Sequence, residues 1–74
     1  MGHLLDVKGL ACPMPVLRAK KALKALSPGE ELEVLATDPG SVADFDAFCA
    51  TAGHNLVAAD ESGGVYRYVI RKAG

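Results

Sequence analysis

Seventy-four residues, half of them hydrophobic and 23% charged, predict a single domain over residues 1–74 and exclude a disordered or multidomain chain. A domain this short buries only about 60% of its unfolded surface, so a simple core without large clefts is expected. The formal charge of −1 supplies no global basic field, which argues against strong direct binding to nucleic acid.

Leu4-Leu5-Asp6-Val7 is a short apolar run ended by Lys8-Gly9, the pattern of a strand running into a turn. From Pro13 to Leu26, the residues Val16, Ala19, Leu23 and Leu26 recur at steps of three and four, which is one face of a helix. Ser27-Pro28-Gly29 ends it, because proline cannot continue a helix and glycine accepts the reversal. Over Glu31 to Ala36, Leu32, Val34 and Ala36 alternate with Glu31, Glu33 and Leu35, a strand with one buried face. A second helix follows, capped by Asp38 or by Ser41 with Asp44 three residues on. Val42, Phe45, Phe48 or Cys49, and Ala52 make its apolar stripe, and Gly53 its stop. Asn55 to Asp60 and Val65 to Arg71 form a hairpin through Glu61-Ser62-Gly63-Gly64, with Tyr66, Tyr68 and Ile70 on the core side. The order β-α-β-α-β-β predicts an α/β (α+β) two-layer sandwich, a four-stranded mixed sheet with two helices on one face.

Two cysteines thirty-seven positions apart are too few for a secreted disulfide scaffold, and both read as reduced. No basic stretch followed by an apolar run opens the chain, and no window approaches the ~20 apolar residues of a membrane helix, so a cytoplasmic address is expected. Cys49 fits the apolar stripe of the second helix, where free cysteine is commonly buried.

Cys12 is placed differently, in Cys12-Pro13-Met14-Pro15, where a turn meets the first helix. A helix start carries partial positive charge and unpaired N–H groups, which favour the nucleophilic thiolate. With Cys12 as N-cap, Pro13 and Pro15 have no N–H to give and Met14 is the main nearby donor. With the helix starting at Pro15, Cys12 sits just outside it. A dithiol oxidoreductase carries a second cysteine three residues on, and that place here is Pro15. No neighbour is then at hand to expel the outer sulfur of a persulfide, and a lone thiol keeps its cargo. The plain alternative is a buried structural cysteine beside a helix-starting proline.

Lys8-Gly9-Leu10-Ala11-Cys12-Pro13-Met14-Pro15-Val16, Gly29-Glu30, Thr37-Asp38-Pro39, Phe48-Cys49, Gly53-His54 and Tyr66-Arg67-Tyr68 together resemble the TusA (SirA-like) sulfur-carrier family. The resemblance runs almost end to end, and its most specific element is Cys-Pro-x-Pro. It implies the same two-layer sandwich, a persulfide on Cys12, a cysteine desulfurase or rhodanese as sulfur donor, and a DsrE-like relay protein as acceptor. It further implies service in tRNA 2-thiouridine formation, sulfur oxidation or related sulfur traffic. Members tied to tRNA thiolation often carry Glu between the prolines, where this chain has Met14.

Eight of the nine acids lie between Glu30 and Glu61, a stretch without Lys or Arg. The first helix carries Arg18, Lys20, Lys21 and Lys24 without an acid, so its exposed face is expected to steer an acidic partner toward Cys12, unless its charges pair with the acidic half. His3, His54 and the cysteines lack the paired spacing of a zinc site. The expected activity is a sulfur relay that needs no cofactor or metal. The rivals are a thiol redox sensor using Cys12 and a noncatalytic domain docking through the basic helix.

Overall fold

The structure, a computed structural model, describes residues 3–11 and 13–73. Its elements in chain order are β1 (His3–Asp6), α1 (Met14–Lys24), β2 (Glu31–Ala36), α2 (Ser41–Ala52), β3 (Asn55–Ser62) and β4 (Val65–Arg71). The strands form one four-stranded sheet in the order β1-β2-β4-β3. β1 runs parallel to β2, and β4 runs antiparallel to both β2 and β3, so the last strand lies at the centre and β1 and β3 at the edges. The mixed sheet and two helices are those the element order predicts.

The alternation in β2 decides where the helices pack. Leu32, Val34 and Ala36 are all buried, and their partners on β4, Ile70, Tyr68 and Tyr66, face the same way. Ala19 and Leu23 of α1 and Phe45 and Cys49 of α2 complete that cluster. The rings of Phe45 and Tyr68 stack at its centre with centroids 4.5 Å apart. Rings so placed add about 0.5–1.5 kcal/mol to their area burial.

The opposite sheet face has no helix over it and is kept wet by charge. Arg67 Nε donates to Glu33 at 2.6 Å and its Nη1 to Asp60 at 3.2 Å, and Arg71 donates to Glu31 at 2.8 Å. Such exposed pairs contribute little to stability, about 0–1 kcal/mol each. Their effect is to place ions among the apolar side chains of this face, Leu4, Leu35, Ala58 and Val69.

Several boundaries differ from expectation. Helix α1 ends at Lys24, two residues early, although Leu26 still packs against the core. Its end is tied down by Lys72, whose Nζ donates to the Leu26 carbonyl at 2.6 Å. On α2 the cap is Gly40, and neither Asp38 nor Ser41 fills that position. Ser41 is fully buried, with its hydroxyl 2.8 Å from that of Tyr68. That bond turns the helix so that Ser41, Phe45 and Cys49 form the buried stripe, while Val42 and Ala52 are exposed. Gly53 does close the helix in the left-handed conformation at φ 78°, a conformation costly for other residues. The hairpin reversal tightens to Gly63-Gly64, both at positive φ, as a two-residue turn of the primed type requires.

Candidate functional site

The turn after β1 is built from short polar contacts. Asp6 Oδ1 accepts the Lys8 N–H at 3.0 Å, and the Leu10 N–H reaches the Val7 carbonyl at 3.2 Å. Gly9 takes φ 84° and donates its N–H to Thr37 Oγ1 at 2.9 Å, tying the turn to the loop that follows β2. Val7, buried, donates to the Leu35 carbonyl at 2.8 Å and extends the β1 pairing into the turn. The chain is thus fixed up to Ala11.

Beyond it, Pro13 is the N-cap of α1 and the helix begins at Met14, with no side-chain cap. This lies between the two alternatives of a Cys12 cap and a Pro15 start. Cys12 itself lies outside the described residues. Met14, the donor the sequence offers to a thiolate, gives its N–H to the Ala11 carbonyl at 2.9 Å. The Met14 side chain is exposed, and Pro15 is buried under the helix start.

Two open hollows flank this segment. One, of about 360 Å³ and mostly apolar, lies between the helices against Pro13, Val16, Asp44, Ala47, Phe48 and Thr51. The other, of about 230 Å³, lies against Gly9, Leu10, Ala11, Thr37, Asp38 and Pro39. Ala11 borders one and Pro13 the other. Sequence reasoning missed Thr37 as the clamp of this turn and Phe48 as a groove wall. The sequence signal for Thr37 was its place in Thr37-Asp38-Pro39, one of the stretches that carry the family resemblance.

The second cysteine is elsewhere. Cys49 is 4% exposed, inside the core, and burial followed by the nearby Asp46 carboxylate pushes its thiol above the ordinary value of 9.0. A neutral, enclosed thiol is a poor nucleophile. His54 packs its ring tilted against Phe48 at the end of α2, with ring centroids 5.6 Å apart, and its Nδ1 accepts the Ala73 N–H at 2.9 Å. That bond makes it a clasp for the C-terminal strand.

Arg18, Lys20, Lys21 and Lys24 are all exposed along α1, as the charge pattern predicts. The ion pairs among the described residues join His3 to Glu30, Lys8 to Asp6, Arg67 to Glu33 and Asp60, and Arg71 to Glu31. None of these takes a cation from the helix. Among the described residues no helix is long and apolar enough to cross a membrane.

A family model described as sulfurtransferase TusA matches residues 3–72. The chain is 54% identical over 69 residues to the sulfur carrier protein TusA of Allochromatium vinosum, covering 93% of this chain and 91% of that protein. It is 46% identical over 71 residues to Bacillus subtilis YrkF, named as a candidate sulfur carrier, and covers 96% of this chain but only 38% of that longer protein. Among solved structures it is similar to a SirA-like protein of Desulfitobacterium hafniense, with a TM-score of 0.82, 28% identity and 100% of both chains covered. Because the match takes in every strand and helix of the sandwich together with the Cys-Pro-x-Pro run, the chain belongs to the TusA family of sulfur carrier proteins.

Proposed function

We propose that Cys12 is the residue that carries the sulfur. The observation that supports this is the enclosure of Cys49: with the other thiol held neutral inside the core, the chain has one cysteine left for exchange. In the first step the Cys12 thiolate attacks the outer sulfur of a donor persulfide. The bond between the two donor sulfurs breaks, the donor leaves as its thiolate, and Cys12 becomes a persulfide. In the second step an acceptor thiolate attacks that outer sulfur and Cys12 leaves as thiolate. Each step is an exchange between sulfur atoms, so no external oxidant or reductant is consumed.

Pro13, Met14 and Pro15 support the site by stiffening the chain beside Cys12. The exposed cations Arg18, Lys20, Lys21 and Lys24 attract acidic partner surfaces to α1, the helix that follows Cys12 in the chain. The donor is a cysteine desulfurase or rhodanese and the acceptor a DsrE-like relay protein, in a cytoplasm that keeps thiols reduced. The pathway is tRNA 2-thiouridine formation, sulfur oxidation or related traffic.

The test is to incubate the reduced protein with a cysteine desulfurase and cysteine, then map added sulfur by nonreducing intact and peptide mass spectrometry. One extra sulfur on Cys12, kept in Cys49→Ser and lost in Cys12→Ser, is the expected result. Loading of Cys49, or none on folded protein with desulfurase and rhodanese donors alike, refutes the assignment.

A further inference from the structure

One apolar hollow lies away from both the turn at residue 12 and the basic helix. It measures about 220 Å³ and is bounded by Val42, Ala59, Asp60, Glu61, Tyr66 and Tyr68. Its wall on α2 is Val42, 48% exposed because the Ser41 bond to Tyr68 turns it out of the core. Its other wall is β3, an edge strand bonded to β4 alone in the described sheet. The irregular part of β3 is confined to Leu56 and Ala58, and from Ala58 to Ser62 the register is unbroken. A regular edge of this kind offers backbone donors and acceptors to an added strand.

The rim is acidic. The Asp60 carboxylate is 59% exposed and shares Arg67 with Glu33, while Glu61 uses one oxygen on the Gly64 N–H at 2.8 Å and is exposed. No Lys or Arg occurs between Glu30 and Glu61, so neither α2 nor β3 contributes a cation. The position is also telling. Ala36 pairs with Tyr66, and the chain runs from Ala36 directly into the Thr37–Pro39 loop that faces Ala11. The hollow therefore lies at the end of the sheet where β1 and β2 finish, with a charge opposite to that of α1.

We infer that this hollow and the β3 edge dock an extended basic segment of a partner protein. The segment adds a strand to β3, seats one large apolar side chain between Val42 and Tyr66, and sets Lys or Arg against Asp60 and Glu61. Its chemistry is opposite to that of the acidic surface α1 attracts, so the two faces suit different partners.

The test uses the full isotope-labelled protein and the synthetic peptide acetyl-Lys-Val-Lys-Leu-Lys-Val-amide, with a Glu-for-Lys peptide as control, followed by amide NMR shifts. Saturable shifts confined to Val42, residues 57–62 and Tyr66 are expected, weakened at least about fivefold by ~0.3 M salt. Val42→Asp should weaken binding by a similar factor without unfolding, since an acid in the first helical turn suits the helix dipole. Glu61→Lys, which reverses the rim, should do the same. Shifts centred on α1, equal binding of the Glu peptide, or no shift at millimolar peptide would overturn the inference. Concentration-dependent shifts of the same residues without peptide would overturn it too, by assigning the hollow to a second copy.

Discussion

Tyr68→Phe removes one oxygen atom from the protein and should cost more than its size suggests. Ser41 and Tyr68 are no more than 2% exposed, and their hydroxyl oxygens lie 2.8 Å apart. The variant keeps the ring that stacks on Phe45 but leaves the Ser41 hydroxyl in a dry core without its partner, at a cost of about 1–3 kcal/mol. A chain of 74 residues has about 4–11 kcal/mol of stability in all, from ~0.05–0.15 kcal/mol per residue. A loss near 2 kcal/mol is thus a large share, and lowers the melting temperature by about 8–16 °C at ~4–8 °C per kcal/mol. Ser41→Ala strands the tyrosine hydroxyl in the same way. The double variant removes both polar atoms and should recover much of one loss. Urea unfolding followed by circular dichroism measures all three, since the chain has no Trp to report by fluorescence. A Tyr68→Phe protein within about 0.3 kcal/mol of the parent, or single losses that simply add, would refute the account of the buried bond.

Two further outcomes are expected. The Cys49 thiol, raised above 9.0 by burial and then by Asp46, favours the fold while neutral. Its contribution is therefore complete below the unfolded value and is lost as pH rises through the folded one. Tyr68, raised above 10.0 chiefly by burial, acts in the same direction. Cys49→Ala should accordingly flatten the decline in urea midpoint between about pH 8 and 10.5, and an unchanged slope would contradict this. At the docking face, Lys20→Glu with Lys24→Glu should slow sulfur acceptance from an acidic donor by about tenfold at low salt and match the parent near ~0.5 M salt. A salt-independent defect would mean that the charges act otherwise than by steering.

What the sequence made legible was what local pattern controls. The alternation of Leu32, Val34 and Ala36 placed β2 to the residue, and Gly53 and Gly63-Gly64 marked reversals that only positive φ permits. Strand order was out of reach because pairing of β4 between β2 and β3 is a contact between segments far apart in the chain. The α2 stripe was right at Phe45 and Cys49 and wrong at its ends, Val42 and Ala52, for the same reason. Ser41 reads as a surface cap until a tyrosine 27 residues away supplies its partner. At the site, the Cys-Pro-x-Pro run was legible as chemistry, but its clamp was not, since Thr37 meets Gly9 across 28 positions of chain.

The local hydrogen bonding bears on how a carrier differs from an enzyme. An enzyme aims free donors at the charge it must stabilise, and gains rate from that aim. Here the Gly9 N–H is spent on Thr37, the Leu10 N–H on Val7 and the Met14 N–H on Ala11, while Pro13 and Pro15 have none. These bonds stiffen the turn after β1 and the start of α1. A strongly solvated persulfide would be accepted readily and surrendered slowly, because whatever stabilises the loaded form also raises the barrier to the next exchange. On the proposed assignment of the sulfur to Cys12, a turn that spends these donors on its own backbone favours loading and unloading that lie close in free energy. The partner thiols, through their own pKa and surroundings, then decide which way the sulfur moves.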